Sequence, residues 1–121
     1  MPAIVLDKHD RPGDQWRSRY KSLCLHDPIW YDHLPYIKFP DNWPVFTPKD
    51  KVGDWLEMYT KVMEIPYWTR SEVQKASYDE ASGTWEVKVN RDGEEVILRP
   101  TQLVLATGMS GKPNMPKFPG M

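Results

Sequence analysis

The stretch Ala3-Ile4-Val5-Leu6-Asp7 is the first indication of the fold. Its apolar, partly β-branched side chains follow one another without alternation and end in an acid. Such a run is typical of a strand buried on both faces, as in a parallel sheet. Because a parallel strand needs neighbouring strands, the stretch predicts an α/β fold with residues 1–7 as the first strand.

A second run of the same kind, Leu103-Val104-Leu105-Ala106-Thr107-Gly108, predicts another buried strand over residues 102–108. Ligands of open α/β sheets bind beyond the carboxyl ends of strands, where small residues let a ligand come close. A tight turn that needs small residues only for packing explains Thr107 and Gly108 equally well. Residues 109–121 form a linker in this interpretation, because repeated glycine and proline oppose regular structure.

The segment 8–46 shows neither helical nor strand periodicity. Five prolines interrupt it, and eight large aromatic residues supply the apolar area that a flexible linker lacks. We therefore predict an irregular aromatic wrap that lies over a scaffold or a bound ligand. One helical turn is expected inside it, near Asp14 to Ser18.

Regular structure is predicted for the middle of the chain. A helix over residues 47–65 follows from Thr47 as the cap, Pro48 in the first position and Asp50 as the acid of a capping box. A three-stranded antiparallel meander over residues 71–100 follows from alternating apolar side chains separated by turn sequences. All of these elements fit one small domain spanning residues 1–121.

Composition narrows the function classes. The formal net charge of −1 excludes a general attraction to nucleic acid, and no apolar run approaches the roughly 20 residues of a membrane span. Cys24 is the single cysteine, which predicts a reducing, cytoplasmic setting without an internal disulfide. The three histidines lack metal-ligand spacing, so we predict no metal site.

Two stretches have side chains suited to a nucleotide cofactor. An acid that closes a strand, as Asp7 does, accepts hydrogen bonds from ribose hydroxyls in dinucleotide-binding folds. The glycine fingerprint of such folds lies roughly 20 residues before that acid, which here falls before residue 1, so the spacing leaves the role of Asp7 open. Residues 13–17 combine a glycine, an aromatic ring and a cation that suit a ring system and an anion. From composition alone, an ordinary surface turn is the simpler interpretation of residues 13–17.

The order of these stretches resembles the flavin-containing monooxygenase superfamily, and the resemblance covers essentially the whole chain. The stretches that carry it are 4–7, 11–17, 19–26, 44–49 and 103–108, followed by the prolines of 113–119 and Gly120. The resemblance implies part of an FAD-binding Rossmann-like fold, of the type with two dinucleotide-binding domains, truncated at both ends.

The resemblance also implies roles for individual residues. Asp7 would bind the ribose in the adenosine half of FAD, and Val73 would meet the adenine through its backbone. Gly13 and Trp16 match a Gly-Gly-x-Trp segment in which Asp14 replaces the second glycine. Gln15, Trp16 and Arg17 would lie near the flavin ring or the pyrophosphate. Ala106, Thr107 and Gly108 match the turn where the chain passes between the flavin and nicotinamide domains.

The implied activity is the oxygenation of a small organic substrate with FAD, NADPH or NADH, and O2. Both glycine fingerprints of the family are missing from these 121 residues. The resemblance therefore implies an internal fragment that binds flavin weakly and is inactive by itself. The alternative is a non-catalytic interaction module that binds a protein or peptide through the aromatic segment 16–46. A disulfide reductase would need a pair of redox cysteines, and Cys24 has no second cysteine beside it.

Overall fold

The computed structural model describes residues 2–109 and 114–120. These residues form a parallel strand pair, a three-stranded antiparallel sheet, one long helix and two short helical turns. In chain order the elements are β1 (Val5–Leu6), α1 (Asp14–Arg17), α2 (Ile29–Asp32), α3 (Lys49–Val62), β2 (Tyr67–Trp68), β3 (Ser71–Asp79), β4 (Thr84–Arg91) and β5 (Glu94–Leu98). The α/β class and the antiparallel meander of the sequence prediction are confirmed.

The first strand is shorter and more exposed than predicted. Of residues 1–7, only Val5 and Leu6 form a strand, which pairs in parallel with β2. The sequence did not predict β2, whose two residues follow Pro66. Val5 is 43% exposed, because within the described ranges β2 is the one strand that pairs with β1. The prediction of a strand buried on both faces was therefore wrong for this part of the chain.

The aromatic wrap packs on α3 and forms the main core with it. Backbone hydrogen bonds from Leu25 to Thr47 (2.9 Å) and from Ile29 to Val45 (3.0 Å) fold the wrap back on itself. The ring of Trp55 lies 4.4 Å from that of Phe39 between centroids. The core cluster consists of Leu25, Ile29, Phe39, Val52, Trp55 and Tyr59. The wrap thus covers a scaffold, as one of its two predicted alternatives proposed, and it contains the unpredicted turn α2.

The start of α3 differs from the predicted capping box. The Thr47 hydroxyl donates to the Pro44 carbonyl at 2.8 Å, and no side chain caps the helix. Asp50 instead pairs with the Lys49 ammonium at 2.7 Å. Thr47 is fully buried, so its hydroxyl needs an acceptor inside the wrap rather than a role at the helix end. The helix begins at Lys49 and ends at Val62, inside the predicted range of 47–65.

The antiparallel sheet has the order β3-β4-β5. Val87 and Val89 of β4 are its most buried hydrophobic side chains, with exposed fractions of 1% and 0%. The β4–β5 turn consists of Asp92 and Gly93, both with positive φ. A two-residue turn of this type matches the right-handed twist of paired strands, which explains the predicted hairpin.

No strand forms over residues 102–108, which corrects the second strand prediction. Val104 and Leu105 are each 82% exposed. A strand needs a neighbour that takes its backbone hydrogen bonds, and no described strand pairs with this segment. The described residues of the predicted linker have no helix or strand, while 110–113 and 121 lie outside the described residues.

Candidate cofactor site

The end of β1 and the start of β3 meet in a corner that is held by backbone hydrogen bonds. The N–H of Ser71 donates to the Asp7 carbonyl at 2.9 Å, and the N–H of Arg70 donates to the His9 carbonyl at 2.9 Å. The N–H of Asp7 donates to the Trp68 carbonyl at 3.0 Å, which ties the same residue to β2. The fold therefore brings Asp7 next to the strand that carries Val73.

The Asp7 carboxylate is partly exposed and accepts several hydrogen bonds. Its Oδ1 accepts from the main-chain N–H of His9 at 2.8 Å, and it lies 2.7 Å from the ring Nδ1 of the same histidine. Burial raises the pKa of the Tyr67 hydroxyl, and so do the charge of Asp7 and a hydrogen bond to its carboxylate. Tyr67 thus stays protonated beside Asp7.

Val73 lies on the outer edge of the antiparallel sheet, where its backbone faces away from β4. In that sheet β3 pairs with β4 on one side only. The N–H of Ser71 points away from β4 toward Asp7, and backbone groups two residues apart in a strand point the same way. The N–H and carbonyl of Val73 therefore point toward the side on which Asp7 lies. The Val73 side chain is 44% exposed, and an irregularity follows it before Lys75.

Gly13 packs against the backbone of α3. It adopts a left-handed conformation with φ 87°, and a Cβ added there would lie 2.3 Å from the carbonyl oxygen of Gly53. A Cβ added at Gly53 would lie 2.8 Å from Cγ of Arg17. The structure thus explains Gly13 by its contact with the helix, and a contact between Gly13 and a cofactor stays a prediction.

Arg17 is held by three carboxylates. Its guanidinium contacts Asp14 at 2.8 Å, Asp54 at 2.9 Å and Glu57 at 3.0 Å, and its side chain is 13% exposed. Burial alone would lower the pKa of Arg17, but hydrogen bonds to Asp54 and Asp14 raise it above the ordinary value. This positive charge is already compensated within the chain.

Asp14, the residue at the second glycine of the resembled motif, takes part in this network. Its Oδ2 accepts from the main-chain N–H of Arg11 at 3.0 Å, while Oδ1 contacts Arg17. Burial by itself would raise the pKa of Asp14, but the hydrogen bonds from Arg17 and Arg11 lower it below the ordinary value. The replacement of glycine by aspartate therefore stabilises the turn α1 from within the chain.

The remaining predicted residues lie elsewhere. Trp16 is half-buried against the core cluster, and Gln15 is half-buried and engaged in a contact within the chain. Ala106, Thr107 and Gly108 are exposed. A Cβ added at Gly108 would meet nothing within 4 Å, although its φ of 68° favours glycine.

The sequence analysis missed His9 and Tyr67 as neighbours of Asp7. His9 stands two residues after the strand-ending acid, a spacing at which a side chain can hydrogen-bond back to an aspartate. Tyr67 had no such signal, because it reaches Asp7 only through the pairing of β1 with β2.

The arrangement of these residues fits the adenosine half of FAD. An acceptor carboxylate at a strand end and outward-facing backbone groups on the adjoining strand suit a ribose and an adenine. The described residues do not bring the 13–17 turn and the 106–108 segment together into a comparable site. The guanidinium of Arg17, which was predicted to lie near the flavin ring or the pyrophosphate, is already paired with carboxylates of the chain.

Comparison with known proteins relates the whole chain to monooxygenases. It is 36% identical over 122 residues to the indole-3-pyruvate monooxygenase YUCCA1 of Oryza sativa subsp. japonica. The chain is homologous to a segment of the flavin monooxygenases. The match spans all of this chain and 29% of the rice enzyme, so the chain covers less than a third of that flavin monooxygenase. No model of a protein family matches the sequence.

Solved structures of flavin monooxygenases share the fold. The flavin-containing monooxygenase from Stenotrophomonas maltophilia superimposes with a TM-score of 0.77 at 23% identity, over 95% of this chain and 33% of that one. OTEMO, solved with FAD and NADP, gives a TM-score of 0.78 at 20% identity, over 99% of this chain and 23% of that one. None of the helices in the described ranges has both the length and the apolar composition of a membrane span.

Proposed function

We propose that this chain supplies the adenosine-binding part of the FAD site in a flavin-dependent monooxygenase. The observation that carries the proposal is the corner that joins Asp7 to the strand of Val73, in a chain homologous over its whole length to flavin monooxygenases. Asp7 would accept hydrogen bonds from the ribose, and the outward backbone of Val73 would meet the adenine.

The complete enzyme would use FAD, NADPH or NADH, and O2 to oxygenate a small organic substrate. FAD, when bound, supplies the redox chemistry, while the protein binds and orients it and excludes water. The rice relative is named for indole-3-pyruvate, a small organic acid, which supports this substrate class. OTEMO, with FAD and NADP bound, supports the cofactor pair.

We expect the 121-residue chain to bind FAD weakly and to be inactive by itself. A diphosphate is normally held by backbone N–H groups at a glycine-rich helix start and by nearby cations. Arg17 is compensated by carboxylates, and the turn that carries it is packed on α3. The adenosine corner alone would then carry most of the affinity.

The proposed function is tested by titrating the chain with FAD and following backbone amide resonances by NMR. We expect saturable shifts at Asp7, Ser71 and Val73, and a loss of visible flavin absorbance after desalting. Asp7→Asn should weaken FAD binding about tenfold or more, because a charged acceptor becomes a neutral amide. Asp10→Asn removes an exposed acid three residues away and should leave the affinity unchanged. Equal affinity of wild type and Asp7→Asn would refute the ribose assignment.

The exposed aromatic side chains of the wrap favour a second candidate function, binding of a protein or peptide. Tyr31 and Tyr36 are 77% and 89% exposed, and Trp30 is 58% exposed. Such aromatic side chains are enriched at protein interfaces. An interaction module of this kind would unfold cooperatively as an isolated chain, and FAD would cause no shifts at Asp7 or Val73.

A further inference from the structure

One oxygen of the Asp7 carboxylate is already occupied by donors of the chain itself. An ionised carboxylate offers roughly four acceptor positions, two on each oxygen. Two donors of His9 occupy Oδ1, at 2.8 Å and 2.7 Å. A ribose presents two adjacent hydroxyls, each of which needs an acceptor when it is taken out of water. Asp7 is then left with one carboxylate oxygen, Oδ2, for two hydroxyls.

The hydrogen bond to Asp7 determines which nitrogen of His9 carries the proton. Because an ionised carboxylate can only accept, Nδ1 must be the donor in the 2.7 Å contact. In a neutral imidazole the other nitrogen, Nε2, is then an acceptor. No partner of Nε2 is found among residues 2–109 and 114–120, and the His9 side chain is 24% exposed.

His9 is held in place on both sides of its backbone. Its N–H donates to Asp7 Oδ1, and its carbonyl accepts from the N–H of Arg70 at 2.9 Å. Arg70 in turn lies directly before Ser71, whose N–H donates to the Asp7 carbonyl. The imidazole is therefore fixed relative to the carboxylate and to the strand that carries Val73, which makes it a preorganised part of the corner.

We propose that Nε2 of His9 is a second acceptor for the ribose of the FAD adenosine half, acting beside the remaining acceptor position of Asp7. The inference rests on the proposed function, because it takes the ribose to bind at this corner. Asp7 then has two roles, since it accepts one ribose hydroxyl and orients the imidazole that accepts the other. His9 is a binding residue in this view.

The experiment compares ADP with 2′-deoxy-ADP and 3′-deoxy-ADP as ligands of the full 121-residue chain, with NMR shifts at pH 8 as the readout. Wild type should bind each deoxy ligand about five- to tenfold more weakly than ADP, since each lacks one of the two hydrogen bonds. His9→Asn keeps an N–H donor close to the position of Nδ1 but has no nitrogen at the position of Nε2. This variant should bind one of the two deoxy ligands as tightly as it binds ADP. It should still bind the other deoxy ligand more weakly than ADP. His33→Asn, in the aromatic wrap, is the matched control and should behave as wild type.

A measurement on the wild-type chain does not depend on how the variants fold. In a ¹⁵N-labelled sample, the Nε2 resonance of His9 should shift as ADP saturates the chain, while Nδ1 stays near its starting value. An Nε2 resonance that does not move with ADP would overturn the inference. So would a His9→Asn variant that discriminates against both deoxy ligands as wild type does.

The two levels of the proposal fail in different ways. If Asp7→Asn weakens ADP binding while His9→Asn keeps both preferences, the corner binds ribose without help from His9. If Asp7→Asn binds ADP as wild type does, or wild type shows no saturable shifts at the corner, the proposed function fails and the inference fails with it.

Discussion

The corner at Asp7 and the turn at Gly13–Arg17 were both predicted, from the resemblance to flavin monooxygenases, to contact FAD, but their polar groups differ in what they already bind. At the corner, His9 orients a carboxylate that keeps acceptor capacity on its other oxygen, and β3 has an outward-facing edge. In the turn, the guanidinium of Arg17 pairs with three carboxylates, and Gly13 packs closely against the backbone of α3. A motif match therefore does not say which groups remain free for a ligand.

The largest expected effect is that of Gly13→Ala. The new Cβ would lie 2.3 Å from the carbonyl oxygen of Gly53, and the residue would have to keep a φ of 87°. We expect the free energy of unfolding to fall by about 3 kcal/mol or more, from backbone strain together with overpacking. Urea denaturation monitored by circular dichroism measures this change in the free energy of unfolding.

Gly93→Ala is the matched control for this substitution. Gly93 has a φ of 89°, but a Cβ there meets nothing within 4 Å. Only the cost of the left-handed conformation remains, about 1 kcal/mol. If the two substitutions cost the same, the contact between Gly13 and α3 contributes nothing, and the comparison between the two regions loses its structural basis.

A smaller effect is expected for Arg17→Met, which removes the cation from three carboxylates. Glu57 and Asp14 are mostly buried, with side chains 19% and 18% exposed, so we expect a loss of about 2 kcal/mol in the free energy of unfolding. Arg99→Met, which breaks the exposed pair with Glu86, should cost less than about 1 kcal/mol. Native-state amide shifts caused by ADP should be the same in Arg17→Met as in wild type. A clear loss of ADP affinity would show that Arg17 serves the cofactor after all.

The smallest expected effect is a loss of stability at low pH. Hydrogen bonding to Lys61 lowers the pKa of Glu57 despite burial, and the network also lowers that of Asp14. Carboxylates with a lowered pKa in the folded state stabilise it at neutral pH, and this contribution is lost as the pH falls from the ordinary carboxyl range through the lowered values. The free energy of unfolding should therefore decrease below about pH 4. The double variant Asp14→Asn, Glu57→Gln should show a weaker decrease, and an unchanged pH dependence would contradict the assignment.

The parts of the fold that depend on local pattern could be predicted from the sequence. Alternation in Thr84–Val89 and the Asp92-Gly93 turn specify the meander, and helical spacing specifies most of α3. The short strand β2 could not be predicted, because its two residues become a strand only by pairing with β1. The prediction of a strand over 102–108 was wrong for the converse reason: the segment has strand composition, but no described strand pairs with it.

The candidate site also combines features with a local sequence signal and features that depend on distant residues. Asp7 could be found because it closes a strand, which is a local signal. The engagement of Arg17 could be foreseen only in part, since Asp14 stands three residues away but Asp54 and Glu57 come from α3. The corner itself depends on hydrogen bonds between residues more than 60 positions apart, such as Ser71 to Asp7, and no local pattern encodes those.

The contact between Gly13 and Gly53 has a consequence for how this family can vary. Glycine inside a helix costs about 1 kcal/mol relative to alanine, so helix propensity alone would favour alanine at position 53. That methyl would meet the Arg17 side chain at 2.8 Å, while a side chain at position 13 would meet the helix backbone. We expect the two positions to covary among homologues. A lineage that gains a side chain at position 53 should also change the residue at position 17 or lengthen the turn, so substitutions there should occur together rather than singly.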